Sequence, residues 1–255
     1  MATVLSGTSG ALYYSPAGTT STFGELNVNA TTDIITVGTY LNFKVGDPVK
    51  FQVVNTETGA AGTGTLPAGL SAGTTYYVIS YTAATGALQV SATAGGSSVA
   101  ITDDGTAVAP NAFEVYYGAP ALIGSVREWS FEITRSEIDV TTIGQESGQY
   151  TPFRTYITGF ADGSGSATVY TTDEDTSLSN RMVQDVIQRN QTGATVKLYI
   201  DRVSSGGTVN ETLSRSITVP VILTSASLTV NPDDGQSVEI AFRPTEAPTF
   251  DLSKS

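Results

Sequence analysis

The sequence predicts a mainly β fold with a single helix, and three observations support this prediction. Glycine is abundant at 26 residues, and only 14% of the residues are charged. Threonine, serine and valine are frequent, which is typical of strands joined by turns. Residues 126–134 (VREWSFEIT) alternate between large apolar and polar side chains, which is the period of a strand with one buried and one wet face.

Composition also limits the possible functions. The 255 residues are 40% hydrophobic, enough for one large β domain or two ordinary ones. The formal net charge of -12 argues against a basic nucleic-acid footprint. Cysteine and histidine are absent, which removes disulfides, thiolate nucleophiles, the usual general base near neutral pH and the commonest transition-metal ligand. We therefore expect no enzyme, no metal site and no cofactor, although carboxylate chemistry stays open.

No targeting or membrane segment is predicted. No apolar run approaches the roughly 20 residues of a membrane-spanning helix. The first ten residues (MATVLSGTSG) lack the basic-then-apolar pattern of a secretion signal. We expect synthesis and assembly in a cytoplasm.

Residues 24–117 are predicted to form a small all-β domain inserted into another fold. Gly-rich turns separate short strands, which we predict at 34–37, 48–54, 75–81, 87–92, 99–102 and 113–117. Residues 1–23 are too short to stand alone and must pair with something after residue 118. The core domain would then be 1–23 and 118–255. The alternative is two domains in tandem, with residues 1–23 as a tail.

The segment 126–144 predicts two strands that share an acidic, wet face. Alternation places Trp129, Phe131 and Ile133 opposite the polar residues of the first strand. The second strand has Ile138 and Val140 on its apolar side. The candidate polar face consists of Glu128, Ser130, Glu132, Glu137, Asp139 and Thr141. Such a surface repels polyanions and suits a wall along which DNA passes without sticking.

The rest of the chain predicts a polar loop at 144–154, then more strands and the helix. Asp162-Gly163 is a hairpin signal between strands at 155–160 and 164–171. Acidic residues at 173–175 are expected to cap a helix that ends near Asn190, and capping explains them better than a cation site. Further strands are predicted at 195–201, 216–223, 225–230 and 237–243. Trp129, Phe131, Met182 and Ile187 are predicted to join helix and sheet in the core.

Residues 126–144 and the segments that follow them resemble a known family. The run VREWSFEITRSEIDVTTIG, a polar loop, FRTYITGFADGSGSATVYT and a short acidic-capped helix resemble the major tail tube protein of long-tailed bacteriophages. The resemblance covers residues 1–23 and 118–255. It implies a tail-tube-type β-sandwich or barrel with one flanking helix, whose subunits form stacked rings, usually of six, around a lumen.

This resemblance implies a structural virion protein of the phage tail, assembled in the host cytoplasm. Genome DNA would pass through the lumen without specific binding, and a tape-measure protein would occupy it beforehand. Further expected partners are tail terminator and baseplate proteins and, in contractile tails, a sheath. The six acidic and hydroxyl candidates would line the lumen. Candidates for contacts between rings are Gly144, Gln145, Glu146, Gln149, Tyr150 and Arg154, with the termini 1–10 and 245–255 as possible arms.

The inserted segment departs from the minimal family pattern. Its runs FKVGDPVKF and LPAGLSAGTTYYVI are similar to accessory β modules of phage virion proteins. A domain of this size would block a lumen, so we expect it to project outward and to stabilise the tube, bridge subunits or attach weakly to glycans.

Two other function classes are alternatives for this chain. A carbohydrate-binding or adhesion protein of a virion or cell surface would use some of the 12 tyrosines for stacking on sugars. A carboxylate-dependent glycosidase needs two acids about 5 to 10 Å apart in a cleft, and no motif supports such a pair.

Overall fold

A computed structural model describes residues 9–123, 126–141, 154–170, 178–205, 208–229 and 236–252. Most of these residues lie in antiparallel strands, and the predicted mainly β class is confirmed. The first nine strands are β1 Ala11–Ser15, β2 Ser21–Phe23, β3 Val28–Asn29, β4 Ile34–Thr36, β5 Pro48–Asn55, β6 Tyr76–Thr82, β7 Ala87–Ser91, β8 Asn111–Tyr117 and β9 Ala121–Leu122. The remainder are β10 Val126–Asp139, β11 Tyr156–Tyr170, helix α1 Leu178–Asp185, β12 Thr195–Asp201, β13 Ser204–Ser205, β14 Thr208–Val209, β15 Arg215–Thr229, β16 Ser237–Pro244 and β17 Thr249–Asp251.

The larger sheet has eight strands in the order β10-β11-β16-β15-β12-β1-β9, with β17 beside β15. Alternation in β12 and β16 places Val196, Leu198, Val238 and Ile240 on the buried side. These side chains form one core cluster together with Tyr14 of β1. The strand at 195–201 agrees with its prediction.

The second sheet has seven strands in the order β2-β8-β5-β6-β7-β4-β3. Its own core includes Phe23, Phe51 and Phe113, with ring centroids 5.4–6.3 Å apart between Phe23 and the other two. Five of the six predicted strands are present. The predicted strand at 99–102 is wrong, because Val99 and Thr102 donate isolated backbone bonds to two different segments rather than to one ladder. The division into a core and an inserted domain stays a prediction.

Three long strands replace predicted pairs of short ones. The predicted breaks near residues 135, 162 and 224 fall inside β10, β11 and β15. The hairpin at Asp162-Gly163 is wrong, since Gly163 pairs with Ile133 in mid-strand. A Cβ at Gly163 would lie 2.9 Å from Cγ of Pro244. This glycine therefore serves close packing rather than a turn.

Helix α1 ends earlier than predicted. Residues 171–177, including Asp173, Glu174 and Asp175, lie outside the described residues. The helix ends at Asp185, after which Ile187 and Gln188 donate to the carbonyls three residues before them. Met182 is fully buried, as predicted, but Ile187 is 88% exposed because the helix stops before it. No helix in the described part of the chain is both long and apolar enough to span a membrane.

An ion pair on α1 ties the helix to the second sheet. Arg181 pairs with Asp47, and their side chains are only 1% and 8% exposed. The Arg181 guanidinium also donates to the carbonyl oxygen of Asn42 at 2.7 Å. Asn42 and Asp47 lie just before β5, so these contacts hold the second sheet in a fixed position relative to the helix.

Asp185, one turn further along α1, completes this contact. Its carboxylate accepts the hydroxyl of Tyr14 at 2.7 Å, the backbone N–H of Ala17 at 2.9 Å and Nδ2 of Asn42 at 2.6 Å. Burial raises the pKa of Asp185, while the hydrogen bond from Tyr14 acts in the opposite direction. We call this network of Arg181, Asp185, Asn42, Asp47 and Tyr14 the α1 latch.

We predict that Arg181→Met lowers the free energy of unfolding by about 3–5 kcal/mol, because it leaves Asp47 as a buried, unpaired charge. Denaturant titration measures the loss. Lys44→Met is the matched control, since Nζ of Lys44 bonds Oε1 of Gln184 at the exposed rim of the same contact and should contribute below about 1 kcal/mol. Equal losses in the two variants would contradict the prediction.

Candidate assembly surface

Four strand segments at one end of the large sheet form a ribbon that extends beyond the core. It consists of β10, β11, β16 and residues 221–229 of β15, which we call the ribbon. β10 and β11 are 14 and 15 residues long, so each spans about 45–50 Å. All three pairings within the ribbon are antiparallel.

One side of the ribbon is polar across all four strands. Glu128 pairs with Thr168, Thr168 with Glu239, and Glu239 with Ser227. Directly paired residues lie on the same side of a sheet. Oγ of Ser130 lies 3.0 Å from Oγ of Ser166. We define the polar face as Glu128, Ser130, Glu132, Ser164, Ser166, Thr168, Ser227 and Glu239.

The opposite side of the ribbon continues the core. Trp129 and Phe131 are half-buried against the core cluster, and the ring of Phe131 stacks on Phe242 at 6.4 Å. Gly165 lies directly opposite Phe131 in the ladder. A Cβ at this glycine would lie 2.3 Å from the ring of Phe242, so only glycine leaves room for the ring. The prediction that Trp129 and Phe131 face the core agrees with the structure.

The two predicted acidic segments do not share one face. From Arg135 to Glu137 the pairing advances two residues on β10 and three on β11, so the extra residue belongs to β11 and alternation in β10 is unbroken. Glu137 and Asp139 therefore lie on the side of Trp129, opposite Glu128 and Glu132. The expectation of a continuous acidic face through Thr141 is wrong, because one uninterrupted strand replaces the two that were predicted.

Asp139 and Thr141 form a local cap at the end of β10. The hydrogen bond from the Thr141 side chain, followed by that from its backbone N–H, lowers the pKa of Asp139. Nη1 of Arg154 lies 3.5 Å from Oδ2 of Asp139, and both side chains are exposed. Arg154 is the only predicted loop residue that the structure describes, since Gly144, Gln145, Glu146, Gln149 and Tyr150 lie outside the described residues.

Both long edges of the ribbon lack a strand partner among the described residues. β10 pairs only with β11 and ends the sheet. On β15, the side away from β16 is covered by β12 as far as Pro220. Beyond that point Val221 bonds Ala194, and no described strand pairs with this side of Ser225–Thr229. Unpaired strand edges are templates for another chain.

The far half of the ribbon also exposes large apolar side chains on both of its sides. Ile138 and Ile157 face each other in the ladder and are 50% and 51% exposed. Phe160, at the bulge, is 93% exposed. Ile133, predicted as core, is 47% exposed because the core ends before it. Clustered apolar exposure of this kind marks an interaction surface.

Sequence reasoning missed the contribution of β11, β15 and β16 to the polar face. Ser164, Ser166 and Thr168 alternate with Gly165, Ala167 and Val169, and this alternation was a usable signal. Glu239 and Ser227 could not be placed, because only the ladder aligns them with Glu128. No group of three potential metal-ligating side chains occurs within the part of the chain that the structure describes.

The chain is similar to known proteins only at the level of solved structures. No family model matches the chain, and no curated protein matches it. Solved structures that match include the virion of a native gene transfer agent particle, with 18% identity, a TM-score of 0.39, and 52% of this chain and 89% of that chain covered. The tail of an empty gene transfer agent particle with C6 symmetry has 17% identity and a TM-score of 0.38, with 52% of this chain and 87% of that chain covered. The SPP1 tail tube has 12% identity and a TM-score of 0.37, with 54% of this chain and 72% of that chain covered. Similarity at this level does not assign the chain to a family.

We predict that Gly165→Ala destabilises the fold by about 1–3 kcal/mol, because the added methyl group overpacks the ring of Phe242. Chemical unfolding measures the effect. Gly24→Ala is the control, since its backbone is extended and the nearest atom to a new Cβ lies at 3.7 Å. Unchanged stability of Gly165→Ala would show that Phe242 relaxes freely and that the ribbon is loosely packed.

Proposed function

We propose that this chain is a structural virion protein, the subunit of a phage tail tube that assembles into stacked rings. The observation that carries the proposal is the ribbon, which has one polar face and whose two edges have no strand partner among the described residues. The sequence resemblance points to the same family and favours rings of six. The proposal assigns no catalysis to the protein.

Ring closure follows from the strand order. The antiparallel order β10-β11-β16-β15 means that β10 of a second copy, laid along Ser225–Thr229, continues the alternation of strand direction. The two joined surfaces differ, so the interface is heterologous and repeats until the ring closes. Closure uses up both edges. Six copies would give a 24-stranded barrel about 45–52 Å across its backbone, from the usual strand spacing and tilt.

The polar face is then proposed to line the lumen. The opposite side of the ribbon carries the core, and α1 lies over it, where Val183 lines a cleft with Ala226 and Leu228. These bulky parts fit only outside a narrow barrel. Glu128, Ser130 and Glu132 keep their proposed lining role, and Glu239 adds a further acid. Glu137 and Asp139 lie on the opposite side of the ribbon and are not part of the proposed lining, and Thr141 lies beyond the end of β10.

An acidic lining gives the lumen its proposed use. Carboxylates repel the phosphates of DNA, so a genome would pass during ejection without binding. Before ejection a tape-measure protein would fill the bore, and tail terminator and baseplate proteins would close the ends. Residues 144–154 are proposed to bridge successive rings, and a sheath would surround the tube only in a contractile tail.

Residues 24–117 are proposed to be an inserted domain on the outside of the tube. The α1 latch joins the loop before β5 to the helix, and the helix covers the apolar side of the ribbon. The second sheet therefore lies beyond α1, away from the polar face. Its proposed roles are tube stabilisation, subunit bridging or weak glycan attachment.

We predict that the purified protein forms rings or tubes of uniform diameter in electron micrographs. The double variant Ile138→Lys/Ile157→Lys should stay folded but fail to stack into tubes, because both side chains are exposed in the single chain and lie at the end of the ribbon beside residues 144–154, which are proposed to contact the next ring. Leu26→Lys is the control, since Leu26 is fully exposed on the second sheet's side. A starting protein that stays monomeric at every concentration would refute the proposal.

We also predict that Glu128→Lys/Glu132→Lys tubes retain nuclease-resistant DNA at low salt and release it as salt rises, because lysines on the lining attract phosphates. Co-sedimentation after nuclease treatment measures this. Glu57→Lys/Asp104→Lys changes the net charge equally at exposed turn and loop positions between strands of the second sheet and should protect no DNA. Equal protection by both variants would place Glu128 and Glu132 outside the lumen.

A further inference from the structure

We propose that Gln191 sets the register in which a second copy joins the ribbon, by blocking the β15 edge at Leu223. This inference rests on the proposed ring assembly and adds the residue that fixes its geometry. Gln191 lies in the loop between α1 and β12, and sequence reasoning assigned it no role.

The side-chain amide of Gln191 bonds to β15 as a neighbouring strand would. Its Oε1 accepts the backbone N–H of Leu223 at 2.7 Å, and its Nε2 donates to the carbonyl oxygen of Leu223 at 3.2 Å. One side chain thus satisfies both backbone groups of one edge residue. Val221, two residues earlier, bonds the backbone of Ala194 on the same side.

The block coincides with a change in the strand itself. From Leu223 to Ser225 the pairing advances two residues on β15 and one on β16, which is a bulge on β15. The hydroxyl of Thr224 donates to the carbonyl oxygen of Ala241 at 3.2 Å within it. Bulges next to a sheet edge commonly end pairing. Within the described parts of the chain, the covered stretch of this β15 edge therefore ends at Leu223, and the stretch without a strand partner begins at Ser225.

Ring assembly needs a device of this kind. A slip of one residue between β10 and β15 would turn the polar face of one copy to the apolar side of the next, so polarity alone forbids it. A slip of two residues keeps every side chain on its proper face. β10 has 14 residues, whereas Ser225–Thr229 is much shorter. Several registers that differ by two residues are therefore compatible with the polarity of the two faces. Occupation of Leu223 by Gln191 removes the registers that extend past Ser225.

Disulfide mapping tests the inference, because the chain contains no cysteine and every cross-link is engineered. One cysteine is placed on β10 at Glu128, Ser130, Glu132 or Thr134. The second is placed on β15 at Ile222, Ser225, Ser227 or Thr229, whose ladder partners lie on the polar side of β16. With Gln191 present, we expect intermolecular cross-links at Ser225–Thr229 and only background at Ile222.

Gln191→Ala should raise cross-linking at Ile222 about tenfold over background, the factor that corresponds to the free energy of one hydrogen bond. Tube diameter or pitch in micrographs should become non-uniform. Gln188→Ala is the matched control, since Nε2 of Gln188 bonds the carbonyl of Tyr40 rather than the ribbon edge, and its map should match that of the starting protein.

Failures of the two proposals are distinguishable. Absence of any β10–β15 cross-link in the chain with Gln191 would refute the ring assembly itself. A normal map that Gln191→Ala leaves unchanged would overturn only the role of Gln191. If Gln191→Ala does not fold, Gln191→Glu is tested by the same cross-linking, because it keeps the hydrogen-bond acceptor and loses the donor. New cross-links at Ile222 would then support the inference. An unchanged cross-linking pattern would overturn it.

Discussion

The backbone hydrogen-bonding capacity of the ribbon is the constraint on which the rest of the structure depends. In the described part of the chain, β10 has only β11 as a strand partner, and Ser225–Thr229 of β15 have only β16. Because unpaired strand edges attract further strands, these edges must be covered by something. The described residues cover the side of β15 away from β16 as far as Leu223, and none of their strands pairs with it over Ser225–Thr229. The remaining edge is a defined site rather than an accident of a frayed sheet.

Alternation turns this backbone constraint into a surface with two chemically different sides. Ser130 and Glu132 face water, while Phe131, between them, stacks on Phe242. The α1 helix covers the apolar side, and the α1 latch holds the second sheet behind it. Everything bulky is therefore on one side of the ribbon. A ring built from this ribbon has only one orientation that leaves its bore open.

The strands show where local signals were sufficient and where they failed. The alternation of β10 near Trp129 and the segment of β12 were predicted correctly, because one period and one buried side decide them. Asp162-Gly163 carries a strong turn signal, yet Gly163 lies in mid-strand, where it pairs with Ile133 and a Cβ would crowd Pro244. Ile187 fits the apolar stripe of a longer helix, yet α1 ends at Asp185. In both cases the local signal alone did not decide the structure.

The sequence by itself determined the fold class, the acidic character and the polar side of β10, because composition and a two-residue period are properties of the chain alone. Only the tertiary structure decided which residues of β11, β15 and β16 join that side, since cross-strand register depends on bulges that no local pattern reveals. The tertiary structure also decided that Glu137 and Asp139 lie on the other side of the ribbon from Glu128. The physical reason is that one uninterrupted ladder carries the alternation past the predicted break, and pairing between distant segments sets that continuity.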